Sequence, residues 1–336
     1  MARKIKRYFA MTLSSHHLQF YHIRTQNKIN LGILPGVSLE KNRPEDLSMK
    51  AIKIILKTVL LISLTIHGLL SAIVPANADV MTGVSTSCFP ETGKPETYGS
   101  LTIDHSHASD GYIIVRAPKS SHNLKIAIFF DGTAKIHYNL NTDGNEEIIP
   151  LQYGSGRYTA SLYRQISGPK YQKDGEISFT VKMKDKLGYT LYPNQWVNYT
   201  AETAAVQYAD ELCADLTDEY EITMAVYKFM GKNFSYDWIK AGDVKAGALK
   251  DILPDIDGSW GTGTGICQDM AAIMCAMLRS QGIHARLVVG TCSGTPHAWV
   301  TVYYHGDDGK LRSLSLDPTY HCNATAKAGY KAERYY

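Results

Sequence analysis

The hydrophobic spacing of the chain changes once, near residue 206, and that change constrains the fold more than any other feature. Between residues 98 and 205, short runs at 111–115, 124–130, 135–140, 157–163 and 176–182 carry β-branched and aromatic residues, several alternating with polar ones. Such alternation suits half-buried antiparallel strands, and Asp131-Gly132 and Asp143-Gly144 supply tight turns. At least five strands at near-regular spacing predict a small β-sandwich over 98–205. Beyond that point Leu212, Leu216, Tyr220, Met224, Tyr227 and Met230 recur at three- and four-residue steps, which predicts a helix over 209–230.

The second domain, 206–336, continues with a short strand or turn at 233–238 and a Gly- and Asp-rich loop over 240–265. A helix follows from Cys267 to Ser280, stopped at Gly282, and then β runs at 286–289, 297–304 and 311–316, the last two joined by a hairpin turn at 306–309. A helix followed by an antiparallel sheet gives an α+β class. The length of 336 residues fits two domains and a leader.

That leader reads as a secretory signal peptide at 49–78. Lys50, Lys53 and Lys57 precede an apolar run over 59–74, and Ala76 and Ala78 place the cut before Asp79. The alternative is an uncleaved anchor, although the run is shorter than the about 20 residues a spanning helix needs. Either way the remainder is expected to be secreted or held at the cell surface. Residues 1–48 show no apolar periodicity and are set aside as a disordered extension or a mis-assigned start, and 79–97 is a linker rich in Thr, Ser, Gly and Pro. A net charge of +3, with basic residues scattered outside the amino terminus, lacks the footprint of a nucleic-acid binder. The six cysteines are Cys88, Cys213, Cys267, Cys275, Cys292 and Cys322. If Cys267 stays free, the other five cannot all pair, and Cys275, eight residues along the same helix, is the expected buried thiol.

Cys267 is the residue to which most of the chemistry points. It opens a helix behind Gly261, Gly263 and Gly265, where the helix dipole and unpaired N–H groups favour a thiolate and the glycines would admit a substrate backbone. A neutral thiol is a poor nucleophile, and a paired imidazole corrects this by taking its proton. His297 opens one predicted strand and Asp317 closes the next, so antiparallel pairing would set the acid beside the imidazole to orient it. Taken singly, each residue also fits a structural role: a core cysteine, a strand-end histidine, a turn aspartate before Pro318. The 261–265 glycines lack the lysine of a phosphate loop, and 255–258 covers too little of a calcium loop, so neither a cofactor nor a metal is expected.

Five ordered blocks make the reading specific: GICQDMA at 265–271, MLRSQGI at 277–283, ARLVVG at 285–290, HAW at 297–299 and LDPT at 316–319. Together they resemble the transglutaminase-like superfamily, most nearly its exported bacterial members in which a β-rich domain precedes the core. The resemblance implies a papain-like core with a Cys267, His297, Asp317 triad. Tyr236-Asp237 resembles the strand preceding the family's nucleophile. Many relatives carry a tryptophan before the Asp-Pro-Thr block, where this chain has Leu311 to Leu316, so packing beneath Asp317 is expected to differ. The implied activity is attack on an amide or peptide carbonyl through a Cys thioester, passed on to an amine or to water. Its substrate would be a protein or peptide, with cell-wall peptide among the candidates. The alternative function is a catalytically silent cell-surface binding or scaffold protein. Tyr236, Trp238 and Trp260 are unranked candidates for a second oxyanion donor beside the Cys267 N–H.

Overall fold

A computed structural model of the chain describes residues 89–323 and 329–336, all within one compact unit, Asp79–Tyr336. The 1–48 extension, the 49–78 signal peptide, residues 79–88 of the linker and the side chain of Cys322 lie outside the described residues. Among the described residues no helix is long and apolar enough to cross a membrane.

The first half forms two antiparallel sheets. One runs β1 (Glu96–Tyr98), β2 (Leu101–Asp104), β3 (Tyr112–Arg116), β6 (Glu147–Pro150); the other runs β5 (Thr133–Leu140), β4 (Leu124–Phe130), β7 (Gly156–Ser167), β8 (Lys170–Val181). Alternation along β4 explains their packing, because Leu124, Ile126 and Ile128 are buried while Lys125, Ala127 and Phe129 are partly exposed. Leu101, Ile103, Ile113, Val115 and Ile149 of the first sheet join the same apolar core. Each such side chain contributes about 1.5–3 kcal/mol by burial. The β4–β5 turn takes positive φ at both Asp131 (47°) and Gly132 (77°), the conformation for which an Asp-Gly pair is suited.

The second half builds α1 (Ala204–Cys213), α2 (Glu219–Asn233), β9 (Ser235–Tyr236), α3 (Trp238–Ala246), α4 (Ile256–Thr262), β10 (Thr264–Gly265) and α5 (Cys267–Ser280). After them come β11 (His284–Cys292), β12 (Thr295–His305), β13 (Leu311–Asp317), β14 (Cys322–Asn323) and β15 (Tyr330–Tyr335), in one antiparallel sheet ordered β14-β13-β12-β11-β15. Every residue of α5 from Asp269 to Ser280 is buried, so this helix is central, covered by the sheet on one side and by α1 and α2 on the other. Arg279, with no exposed surface, fastens it by donating to the backbone carbonyls of Ala285 (2.8 Å), Tyr192 (2.6 Å) and Tyr336 (2.9 Å). The architecture is therefore α+β, with antiparallel sheets preceding a helix-on-sheet core.

Two expectations change in detail. The helix predicted over 209–230 is two helices, because the Asp218 carboxylate caps a new one by accepting from the Glu221 N–H at 2.8 Å. The loop predicted over 240–265 contains α3 and α4, capped by Asp237 and Asp255 and closed by the left-handed glycines Gly247 and Gly263. These helices escape a periodicity search because α3 buries no residue and α4 has only seven.

Candidate active site

Helix α5 delivers Cys267 at its first position, partly buried, with Ile266 as the N-cap residue. Ile266 has no side-chain acceptor, so the cap is made from below: the Asp269 carboxylate accepts from the Ile266 N–H at 2.9 Å. The same carboxylate, fully buried, accepts from the Asp255 N–H at 3.0 Å and from Lys240 Nζ at 2.8 Å. A buried charge is tolerated when it is paired and fully hydrogen-bonded, and here its three donors tie α3, α4 and the nucleophile's turn together. Two of the three glycines ahead of Cys267 have a local structural role, while Gly261 has open space around its Cα. Gly263 (φ 65°) ends α4, and a Cβ on Gly265 would stand 2.9 Å from the Asp269 Cβ.

The β12–β13 register ends at Val300 opposite Leu316, which sets position 317 across from 299 and His297 on the neighbouring diagonal of the same face. The His297 Nε2 and an Asp317 carboxylate oxygen are 2.7 Å apart, with side-chain exposures of 5% and 0%. With Nε2 so engaged, Nδ1 is the nitrogen left for the hydrogen bond between His297 and the Cys267 side chain. Burial disfavours the imidazolium, but the bonds to Asp317 and Cys267 outweigh it and lift His297 to about 10. For Asp317 burial likewise opposes the charge, and hydrogen bonds from His297, Tyr330 and the backbone overcome it, holding the carboxyl below its usual range. Its second oxygen accepts from the N–H groups of Thr319 (2.8 Å) and Tyr320 (3.2 Å).

Two site residues escape the sequence reading. Tyr330 on β15 donates its hydroxyl to Asp317 and sets its ring edge-on to His297, filling the surroundings that the missing tryptophan put in question. Tyr320, 58% exposed, stacks on the His297 ring at 5.0 Å between centroids. Tyr320 lies three residues beyond Asp317 and so was within reach of inspection, whereas Tyr330 arrives through β15, whose pairing with β11 no local pattern announces. The described cysteines Cys213, Cys267, Cys275 and Cys292 are all free thiols. Burial pushes Cys213 up to about 11 and Cys275 up to about 12, so both stay neutral at physiological pH. Among the described residues no cluster of three or more His, Cys, Asp or Glu side chains could hold a metal ion.

Residues 206–310 match the family model of the transglutaminase-like superfamily, a span that includes Cys267 and His297 and stops short of Asp317. This part of the chain is similar to a transglutaminase-like core. The chain has likenesses among solved structures, all at low similarity. A cysteine protease candidate from Cytophaga hutchinsonii is 12% identical, with 72% of this chain and 90% of that one covered and a TM-score of 0.34. A protease candidate from Parabacteroides distasonis is 14% identical (63% and 41% covered, TM-score 0.28), and the transglutaminase of red sea bream is 13% identical (66% and 49%, TM-score 0.24). The chain thus spans less than half the length of the last two, and at these scores the likenesses carry no argument about activity. A search of curated proteins finds no match.

Proposed function

We propose that the transglutaminase-like core is a thiol acyl-transfer or hydrolytic enzyme, exported from the cell, that acts on amide or peptide carbonyls of a protein or peptide. The observation that carries this reading is the convergence of Cys267 at a helix start, His297 bonded to it, and Asp317 at 2.7 Å behind the imidazole. Cell-wall peptide is a candidate substrate if the 49–78 segment directs export.

In the reactive form a Cys267 thiolate faces the His297 imidazolium, which Asp317 holds in place. The sulfur attacks the carbonyl carbon, and the π electrons move to oxygen. As the tetrahedral intermediate collapses, the C–N bond breaks and the imidazolium gives its proton to the departing amine or ammonia. A thioester remains. Water or a second amine then attacks it, giving a proton to the imidazole and releasing the sulfur as thiolate.

The Cys267 N–H is one donor to the developing oxyanion, and Tyr236 is the second. Strand β9 pairs with β10 so that Tyr236 lies opposite Gly265, two residues before the nucleophile. Burial first, and then the negative charge of Cys267, pushes its hydroxyl up to about 12, so it remains a donor throughout the working pH range. The rivals are placed differently. Trp260 packs among Tyr208, Phe229 and Phe234, and Trp238 is 79% exposed, its ring set edge-on to Tyr236 at 4.7 Å.

Incubation of the full chain with a glutamine peptide and a primary amine, followed by mass spectrometry of the products, tests the proposal. An amine adduct, a deamidated peptide or a cleaved peptide is expected, absent with Cys267→Ala. No product from any acyl donor would favour the silent binding protein.

A further inference from the structure

On the seam between the β-sandwich and the transglutaminase-like core lies a cavity of about 510 Å³ that is outside the triad. Three cationic side chains line it, Lys135 of β5, Arg286 of β11 and Arg334 of β15, against one acidic side chain, Glu333. None of the three forms a salt bridge among the described residues, and Arg334 hydrogen-bonds the neutral side chain of Tyr336. Strands β5 and β15 are each the last strand of their sheet, so each carries a backbone edge without a partner strand.

Three of the four tyrosines in this wall, Tyr153, Tyr335 and Tyr336, already have ring partners. Arg286 sits 4.0 Å from the Tyr335 ring centroid and 5.3 Å from that of Tyr303, Lys135 lies over Tyr153 at 5.9 Å, and Tyr336 stacks on Trp196 at 4.5 Å. What the cavity offers is positive charge without a salt-bridge partner, including the Arg286 guanidinium, whose buried Nε–H has no hydrogen-bond partner among the described residues. We propose that this cavity is an exosite for an extended, acidic peptide segment, held by its carboxylates and along a strand edge.

The link to the triad is short. Strand β15 starts at Tyr330, whose hydroxyl bonds Asp317, and after a bulge opposite Val289 and Gly290 reaches the cavity at Tyr335, which shares the face of Tyr330 roughly 17 Å along the strand. One peptide chain can span both, so the exosite would select substrates with acidic residues near the reacting carbonyl; that extension rests on the proposed function, while the binding itself does not.

Binding is therefore measured on full-length Cys267→Ala protein, by fluorescence anisotropy of a labelled octapeptide alternating glutamate and threonine. We expect saturable binding that weakens with added salt, and about tenfold or greater loss in the Lys135→Glu, Arg334→Glu double variant and with a glutamine-for-glutamate peptide. Should the charge reversals impair folding, Lys135→Gln with Arg334→Gln gives the same comparison. Equal affinity for the glutamine peptide, undiminished binding by a folded charge-altered variant, or tighter binding of an oligogalacturonate would each overturn the exosite. Cys267-dependent turnover of a neutral peptide would stand in any of these cases.

Discussion

Cys267→Ala should reduce turnover of any accepted amide or peptide by about 10⁶-fold, and His297→Ala by a similar factor, because each removes a member without which the covalent route stops. Asp317→Asn should cost less, about 10⁴-fold, since the imidazole remains and only its orientation and charge support are lost. The effect on pH is directional. Proton donation to the leaving group requires the His297 imidazolium, so the rate should fall on the alkaline side as pH passes about 10. Asp317 is the first partner that raises His297, and without it the alkaline limb should move to lower pH. Pre-steady-state rates across pH, beside circular dichroism of each variant, check these values. Wild-type turnover by folded Cys267→Ala would return the chain to the binding-protein reading.

Tyr236→Phe should lower kcat by about 10²–10³ with little change in KM, the loss expected when one donor to a developing oxyanion is removed. A structural role would behave differently. Alkylation of Cys267 by iodoacetamide is a displacement at a saturated carbon and develops no oxyanion, so its rate in Tyr236→Phe should match wild type. Trp238→Phe keeps an aromatic ring beside Tyr236 and removes the indole N–H, and it should leave kcat within a few-fold. A slow Trp238→Phe with a fast Tyr236→Phe would transfer the role to the indole.

Much of this architecture is legible in the sequence because the apolar patterns are strong where burial is strong. The alternation of β4 survives as alternating burial, and the Asp131-Gly132 pair forms the turn its composition implies. The stretch 267–280 is a buried helix because small and apolar side chains fill nearly its whole circumference. Legibility fails where structure is set by caps or by long-range pairing. Helices α3 and α4 are defined by aspartate caps and left-handed glycines with little or no apolar stripe. The Asp269 to Lys240 contact spans 29 residues, and Tyr330 reaches Asp317 only through β15 pairing with β11. The three residues singled out for chemistry, Cys267, His297 and Asp317, are brought together, but the groups that hold them were visible only in three dimensions. Of the glycines before Cys267, Gly265 makes room for Asp269 and Gly263 ends a helix, roles that composition alone does not reveal, while Gly261 faces open space.

The central claim is a covalent intermediate on one sulfur. Rapid acid quenching of the full chain during turnover of a glutamine peptide, followed by intact-mass measurement and peptide mapping, observes it directly. The expected result is an adduct equal to the peptide less ammonia, or less the amine half of a cleaved bond, located on Cys267, released by hydroxylamine and absent from Cys267→Ala. Product accumulating with no adduct on Cys267, or an adduct confined to Cys213, Cys275 or Cys292, would contradict it.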